Sequence, residues 1–174
     1  KVGLWLYGAV QLDTQNSPVE AFNSPQQAPK SIGHSYTLPR SISHKPTIFA
    51  WIRMLSEMVG LRLRQQNLAA KTLYLCLNSK AGKLSRQKTF FEPSFDSQEI
   101  YQRCLHILSE IRFELSQIRF IAVSASNFSP PGGPFLFRDQ NRRDSLISAV
   151  DKINDRFGDW TVFPATLSLV RGAL

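Results

Sequence analysis

Arg86 and Lys88 stand two residues apart in Ser85-Arg-Gln-Lys-Thr-Phe90. On an extended strand that spacing puts both side chains on one face, where a guanidinium and an ammonium can reach two successive anionic groups. The enclosing stretch, Lys71 to Phe91, holds five Lys or Arg and no Asp or Glu. A strand pair of one sign repels itself unless a polyanion covers it. The chemistry on offer is therefore the gripping of anions. Bond-making residues are harder to find: Cys76 and Cys104 lack metal-ligand spacing and read as small buried hydrophobes of a cytosolic protein, which places the chain in the cytoplasm. His34, His44 and His106 are scattered, and each has a structural role by default.

The charge is unevenly spread. The 174 residues carry +8 overall, yet Gln26 to Phe91 holds eleven Lys or Arg against one acid, Glu57, while the remainder holds ten basic and twelve acidic residues. A local excess points to a dedicated polyanion surface, and nucleic acid is the commonest such partner. A merely solvated basic face is the alternative. No apolar run approaches the ~18 residues of a membrane span, and Lys1-Val-Gly-Leu-Trp-Leu-Tyr7 is too short for a cleavable signal. The chain opens on Lys1 and reads as a fragment of something longer.

The elements that must position these cations follow from periodicity. Residues 1–29 are an apolar stub, Gly3 to Gln11, followed by a linker whose Pro18, Pro25 and Pro29 disfavour regular structure. A first strand, Lys30 to Leu38, puts Ile32, Tyr36 and Leu38 on one side and Ser31, Gly33, Ser35 and Thr37 on the other. Pro46 opens a helix that buries Ile48, Ile52, Leu55, Val59 and Leu63, with Arg53, Glu57, Gly60 and Arg64 on its outer side. Leu73, Leu75 and Leu77 alternate along a second strand, Ala81-Gly82 turns it, and the third strand carries Arg86 and Lys88. Asp96-Ser-Gln-Glu99 predicts a capping box, with Asp96 accepting the Glu99 amide, ahead of a helix burying Ile100, Cys104, Ile107, Leu108, Ile111 and Leu115. Ile118 to Ser126 is the fourth strand, with Ile121, Val123 and Ala125 inward and Phe120, Ala122, Ser124 and Ser126 outward.

The order β-α-β-β-α-β predicts an α+β domain at residues 30–128, a four-stranded antiparallel sheet with two helices on one face and the other face open. Residues 129–174 form a tail. In it, Ser129-Pro-Pro-Gly-Gly133 breaks the chain before Pro134-Phe-Leu-Phe137, Asn141 caps a last helix lined by Leu146, Val150, Ile153 and Phe157, and Trp160 to Val170 is an extended apolar piece.

Pro29-Lys-Ser-Ile-Gly33, Ser85-Arg-Gln-Lys-Thr-Phe90 and Ile118-Arg-Phe-Ile-Ala-Val-Ser124, in this order and separated by these helices, resemble the little-finger domain of Y-family translesion DNA polymerases. Gly3-Leu-Trp-Leu-Tyr7 and Ser17-Pro-Val19 are similar to the end of that family's thumb and the start of its linker. Pro134-Phe-Leu-Phe137 and Arg156-Phe-Gly158 resemble the tail of the bacterial polymerase IV branch. The resemblance implies a domain that grips primer-template DNA by its phosphates without reading bases. Ser85, Arg86 and Lys88 match the family's third-strand phosphate contacts. Arg119 matches a basic residue opening the fourth strand, or alternatively is half of a strand-end ion pair. Ser31, Gly33, Ser35, Thr37, Arg40 and Ser124 complete the expected DNA-binding set, Gly33 by letting a backbone amide approach a phosphate.

The resemblance also implies that catalysis, with its Mg2+, belongs to a palm absent from this chain, so the fragment needs no cofactor and is inactive alone. Phe135, Leu136 and Phe137 are expected either to dock on a sliding clamp or to form a short strand or core plug. Two other readings remain open. One is a catalytically dead Y-family paralogue serving as a clamp-bound adaptor; the other is an RNA-binding module of the same β-α-β-β-α-β order, although Ser-Arg-Gln-Lys stands where such a module wants stacked aromatics.

Overall fold

Leu73, Leu75 and Leu77 lie opposite Ala125, Val123 and Ile121 across an antiparallel pair, and all six side chains are buried. This pairing is the middle of a four-stranded sheet ordered β1-β4-β2-β3, in which β1 is Ser31–Ile42, β2 Ala69–Ser79, β3 Gly82–Ser94 and β4 Ile118–Ser129. The computed structural model describes residues 29–80, 82–111, 114–131 and 138–170. The predicted apolar stub and linker before residue 29, and the Phe135–Phe137 segment, lie outside them. Both edge strands are irregular: the register shifts between Thr37 and Ile42 of β1, around Pro39, and between Thr89 and Ser94 of β3, around Pro93.

Two helices cover one face, α1 (Lys45–Gln65) and α2 (Ser97–Ser109). Pro46 occupies the first turn of α1, and the helix buries the expected Ile48, Ile52, Leu55, Val59 and Leu63 with Trp51 and Met54. It ends in a Schellman motif, Leu68 N–H bonding the Leu63 carbonyl at 2.9 Å and Asn67 N–H the Arg64 carbonyl at 3.0 Å, with Asn67 left-handed at φ 53°. The side of α1 expected to face solvent is instead an interface. Arg53 is buried, paired with Glu57 and stacked over the Tyr101 ring at 5.4 Å, and Gly60 is buried against α2. A long aliphatic stem and an aromatic partner let an arginine occupy an apolar contact.

Asp96 caps α2 as expected but accepts from Gln98 N–H at 2.8 Å, and Glu99 binds Ser94 Oγ and Arg103 rather than reaching back. The helix stops at Ser109, so Ile111 and Leu115 pack on the core from the following loop. Cys104 is fully buried, and that burial pushes its thiol up to about 12.

The final helix, α3, runs Arg138–Phe157, so Asn141 lies within it and does not cap it. It is tied to the body by ions. Asp151 takes two bonds from Arg64 of α1, at 2.6 and 2.9 Å, and Arg143 reaches Asp96 at 2.6 Å. The tail after Gly158 is not extended: Asn154 holds the Val162 backbone by both its donor and its acceptor, and a 3-10 turn, Ala165–Leu169, sets Leu167 and Val170 into the core.

At Gly60 α1 and α2 pack too tightly for a side chain, since a Cβ there would lie 2.3 Å from Ser97 Oγ and 3.1 Å from Ser97 Cα. Gly60→Ala is expected to cost about 1–3 kcal/mol, the range for forcing extra volume into a packed site. Chemical denaturation measures it, and adding Ser97→Ala should recover part of the loss by removing the hydroxyl.

Candidate nucleic-acid interface

The sheet face turned away from α1 and α2 follows from the register. Ser31, Gly33 and Ser35 of β1 meet Ser126, Ser124 and Ala122 of β4, which in turn meet Thr72, Tyr74 and Cys76 of β2, and these meet Thr89, Gln87 and Ser85 of β3. The result is a plate of small hydroxyl-bearing groups. No carboxylate stands among these strand positions. Neighbouring hydroxyls hold one another, with Tyr74 and Ser85 at 2.6 Å and Thr72 and Thr89 at 2.9 Å, so the plate is ordered before anything binds. Ser31, Ser35, Ser85 and Thr37 are exposed as expected.

Gly33 is also required to be small by the fold itself. A Cβ there would sit 2.9 Å from Ser124 Oγ and 3.0 Å from the Val123 carbonyl, so the missing side chain makes room for β4. Ser124 fills that space.

Arg86 and Lys88 do share a face, but it is the other one. They pair with Leu75 and Leu73, whose side chains are buried beneath the helices, so both cations project at the margin of the helix side. Period two establishes that they lie together, and the inward Leu84 and Phe90 on the same parity are the sequence signal for the side. Arg86 is exposed. Lys88 is half-buried, its ammonium bonded to the Glu110 carboxylate and 2.8 Å from His106 Nε2. The hydrogen bond from Lys88 holds the Glu110 carboxyl below its ordinary range, helped by the charges of Lys88, His106 and Arg86.

One grouping was missed by reading each strand alone. Thr37 of β1 pairs with Phe120, Phe120 with Asn78, and Asn78 with Lys83, so the end of β1, the start of β4, the end of β2 and the start of β3 lie side by side. That end of the sheet collects Arg40, Arg119, Lys80 and Lys83, all exposed. At roughly 4.8 Å between strands the row spans about 14 Å. Arg119 makes no ion pair among the described residues.

Residues 29–135 match the model of the impB/mucB/samB family C-terminal domain. Over 86% of its length the chain is 32% identical to a DNA polymerase IV of Desulfatibacillum aliphaticivorans, covering 39% of that protein. It is 30% identical, over 96% of its length, to a DNA polymerase IV of Alkaliphilus oremlandii, covering 44%. The chain thus spans about two fifths of these curated relatives.

Lys88 is occupied by Glu110, so its contribution to anion binding is held in check. Glu110→Gln is expected to raise affinity for a DNA duplex about threefold, the worth of one exposed ion pair. It should also steepen the dependence of log affinity on log salt by about 0.9 as one more phosphate is neutralised. Fluorescence anisotropy over a salt series tests this, and an unchanged slope would exclude Lys88 from the interface.

Proposed function

Because the chain belongs to the impB/mucB/samB C-terminal domain family, in the polymerase IV-like part of the Y-family, we propose that it is the little-finger portion of a translesion DNA polymerase and grips primer-template DNA by its phosphates. The observation that carries this reading is the acid-free hydroxyl plate bordered at one end by Arg40, Arg119, Lys80 and Lys83. Hydroxyls and exposed cations suit phosphate oxygens, and they offer few of the paired donors and acceptors that discriminate base pairs.

The chain supplies grip rather than chemistry. Among the described residues no three His, Cys, Asp or Glu converge on a metal-sized site. We assign the Mg2+ expected for nucleotidyl transfer to a palm outside this chain, and with it the repair activity of the whole protein. No helix of the described residues is long and apolar enough to cross a membrane. Phe135, Leu136 and Phe137 are proposed to dock on a sliding clamp, a reading supported by their place after Pro130-Pro-Gly-Gly133 and by the likeness of this tail to polymerase IV.

Two measurements decide between these roles and their rivals. Neutralising about four phosphates predicts a log-log salt slope of roughly −3 to −4, with unrelated duplexes bound equally; a flat dependence or strong sequence discrimination refutes the grip. Phe135→Ala with Phe137→Ala should abolish capture by the clamp while leaving the melting temperature and DNA affinity unchanged. A melting point lower by several degrees would instead show these aromatics to be core.

A further inference from the structure

The helix α3 is amphipathic, yet only part of its apolar side, Ile147 and Val150 with one flank of Leu146, is turned toward the body. Asp151 and Arg143 make its ties to α1 and to the start of α2, and Asn154 secures the tail. Leu146, Ile153 and Phe157 are left 64%, 37% and 65% exposed, with half-buried Val150 between them. Their spacing of four, three and four residues makes a straight seam of the kind that pairs with a second helix rather than with a flat surface. Leu146 and Val150 also border a cavity of about 540 Å³ that separates α3 from Met58 and Leu61 of α1, so apolar surface continues inward from the seam.

We propose that this seam is a docking site for an acidic amphipathic helix of a partner protein. In heptad terms, with Leu146 and Ile153 at d and Val150 and Phe157 at a, Arg142 and Arg156 fall at the flanking g positions. Neither makes an ion pair among the described residues, and Arg156 stacks over Phe157 at 5.2 Å. Lys152 extends the same flank. A partner helix therefore needs apolar a and d residues beside a row of carboxylates. The ties of α3 are to the helices, so the seam stays reachable while the open sheet face is occupied.

The probe is a labelled helical peptide of about three heptads, Leu at a and d and Glu at e and g, titrated with the full chain. Binding on the order of 10 μM is expected, at least about tenfold tighter than for the same peptide with Lys at e and g. Leu146→Ser with Ile153→Ser should abolish it without lowering the melting temperature, as both residues are exposed. Arg142→Glu with Arg156→Glu should reverse the preference in favour of the Lys peptide. Equal binding of the two peptides, or of neither, overturns the proposal. So does tighter binding by Phe135→Ala with Phe137→Ala, which would make the chain's own segment the occupant, or a dimer in sedimentation equilibrium that the serine variant dissolves. None of these readouts involves DNA.

Discussion

Everything in this molecule depends on the register of β2 against β4. Leu73, Leu75 and Leu77 must meet Ala125, Val123 and Ile121, because a slip of one residue would turn the whole apolar set to the open side and bring Thr72, Tyr74 and Cys76 under the helices. Burial of one face enforces that register. The same alternation leaves the opposite face with serines, threonines and a tyrosine. The chemistry of the plate and the stability of the core are thus two readouts of one pattern, and neither can be altered by a shift without destroying the other.

Charge is arranged around this frame by exclusion. Every carboxylate engaged by a described ion pair sits on the helices or at their ends: Glu57 on Arg53, Glu99 on Arg103, Asp151 on Arg64, Asp96 on Arg143, Glu110 on Lys88. Arg53, Arg64, Arg103 and Arg143 on the helices are each matched by a carboxylate in this way. Among the described residues Arg40, Arg119, Lys80 and Lys83 have no such partners, so the positive field projects from the sheet end and from Arg86. Lys88 sits at the border between the two regimes, and which side claims it is set by one exposed carboxylate.

Periodicity made the fold legible, and it did so where both sides of an element differ. The four strands, both core helices and their buried residues follow from it, as do the small groups of the open face. It failed where tertiary packing decides. Gly60 and Arg53 look like an outer face until α2 and Tyr101 arrive, and the side taken by Arg86 and Lys88 rests on Leu84 and Phe90 because β3 is an edge strand with few apolar residues. Asn141 is a good cap by type, but α3 begins earlier, at Arg138. The row of Arg40, Arg119, Lys80 and Lys83 joins positions up to about eighty residues apart, so only strand order reveals it.

The irregular edges have a consequence for the behaviour of many copies together. A sheet of this kind ends in two strands whose outer amides and carbonyls are free, which invites edge-to-edge growth into aggregates. Here each outer strand is broken by a register shift containing a proline, Pro39 on one side and Pro93 on the other. A proline offers no amide, and a bulge twists the strand out of line for a straight ladder. Copies of this domain brought close together can therefore sit flank to flank and still separate, because neither edge offers the straight ladder from which a fibre would grow.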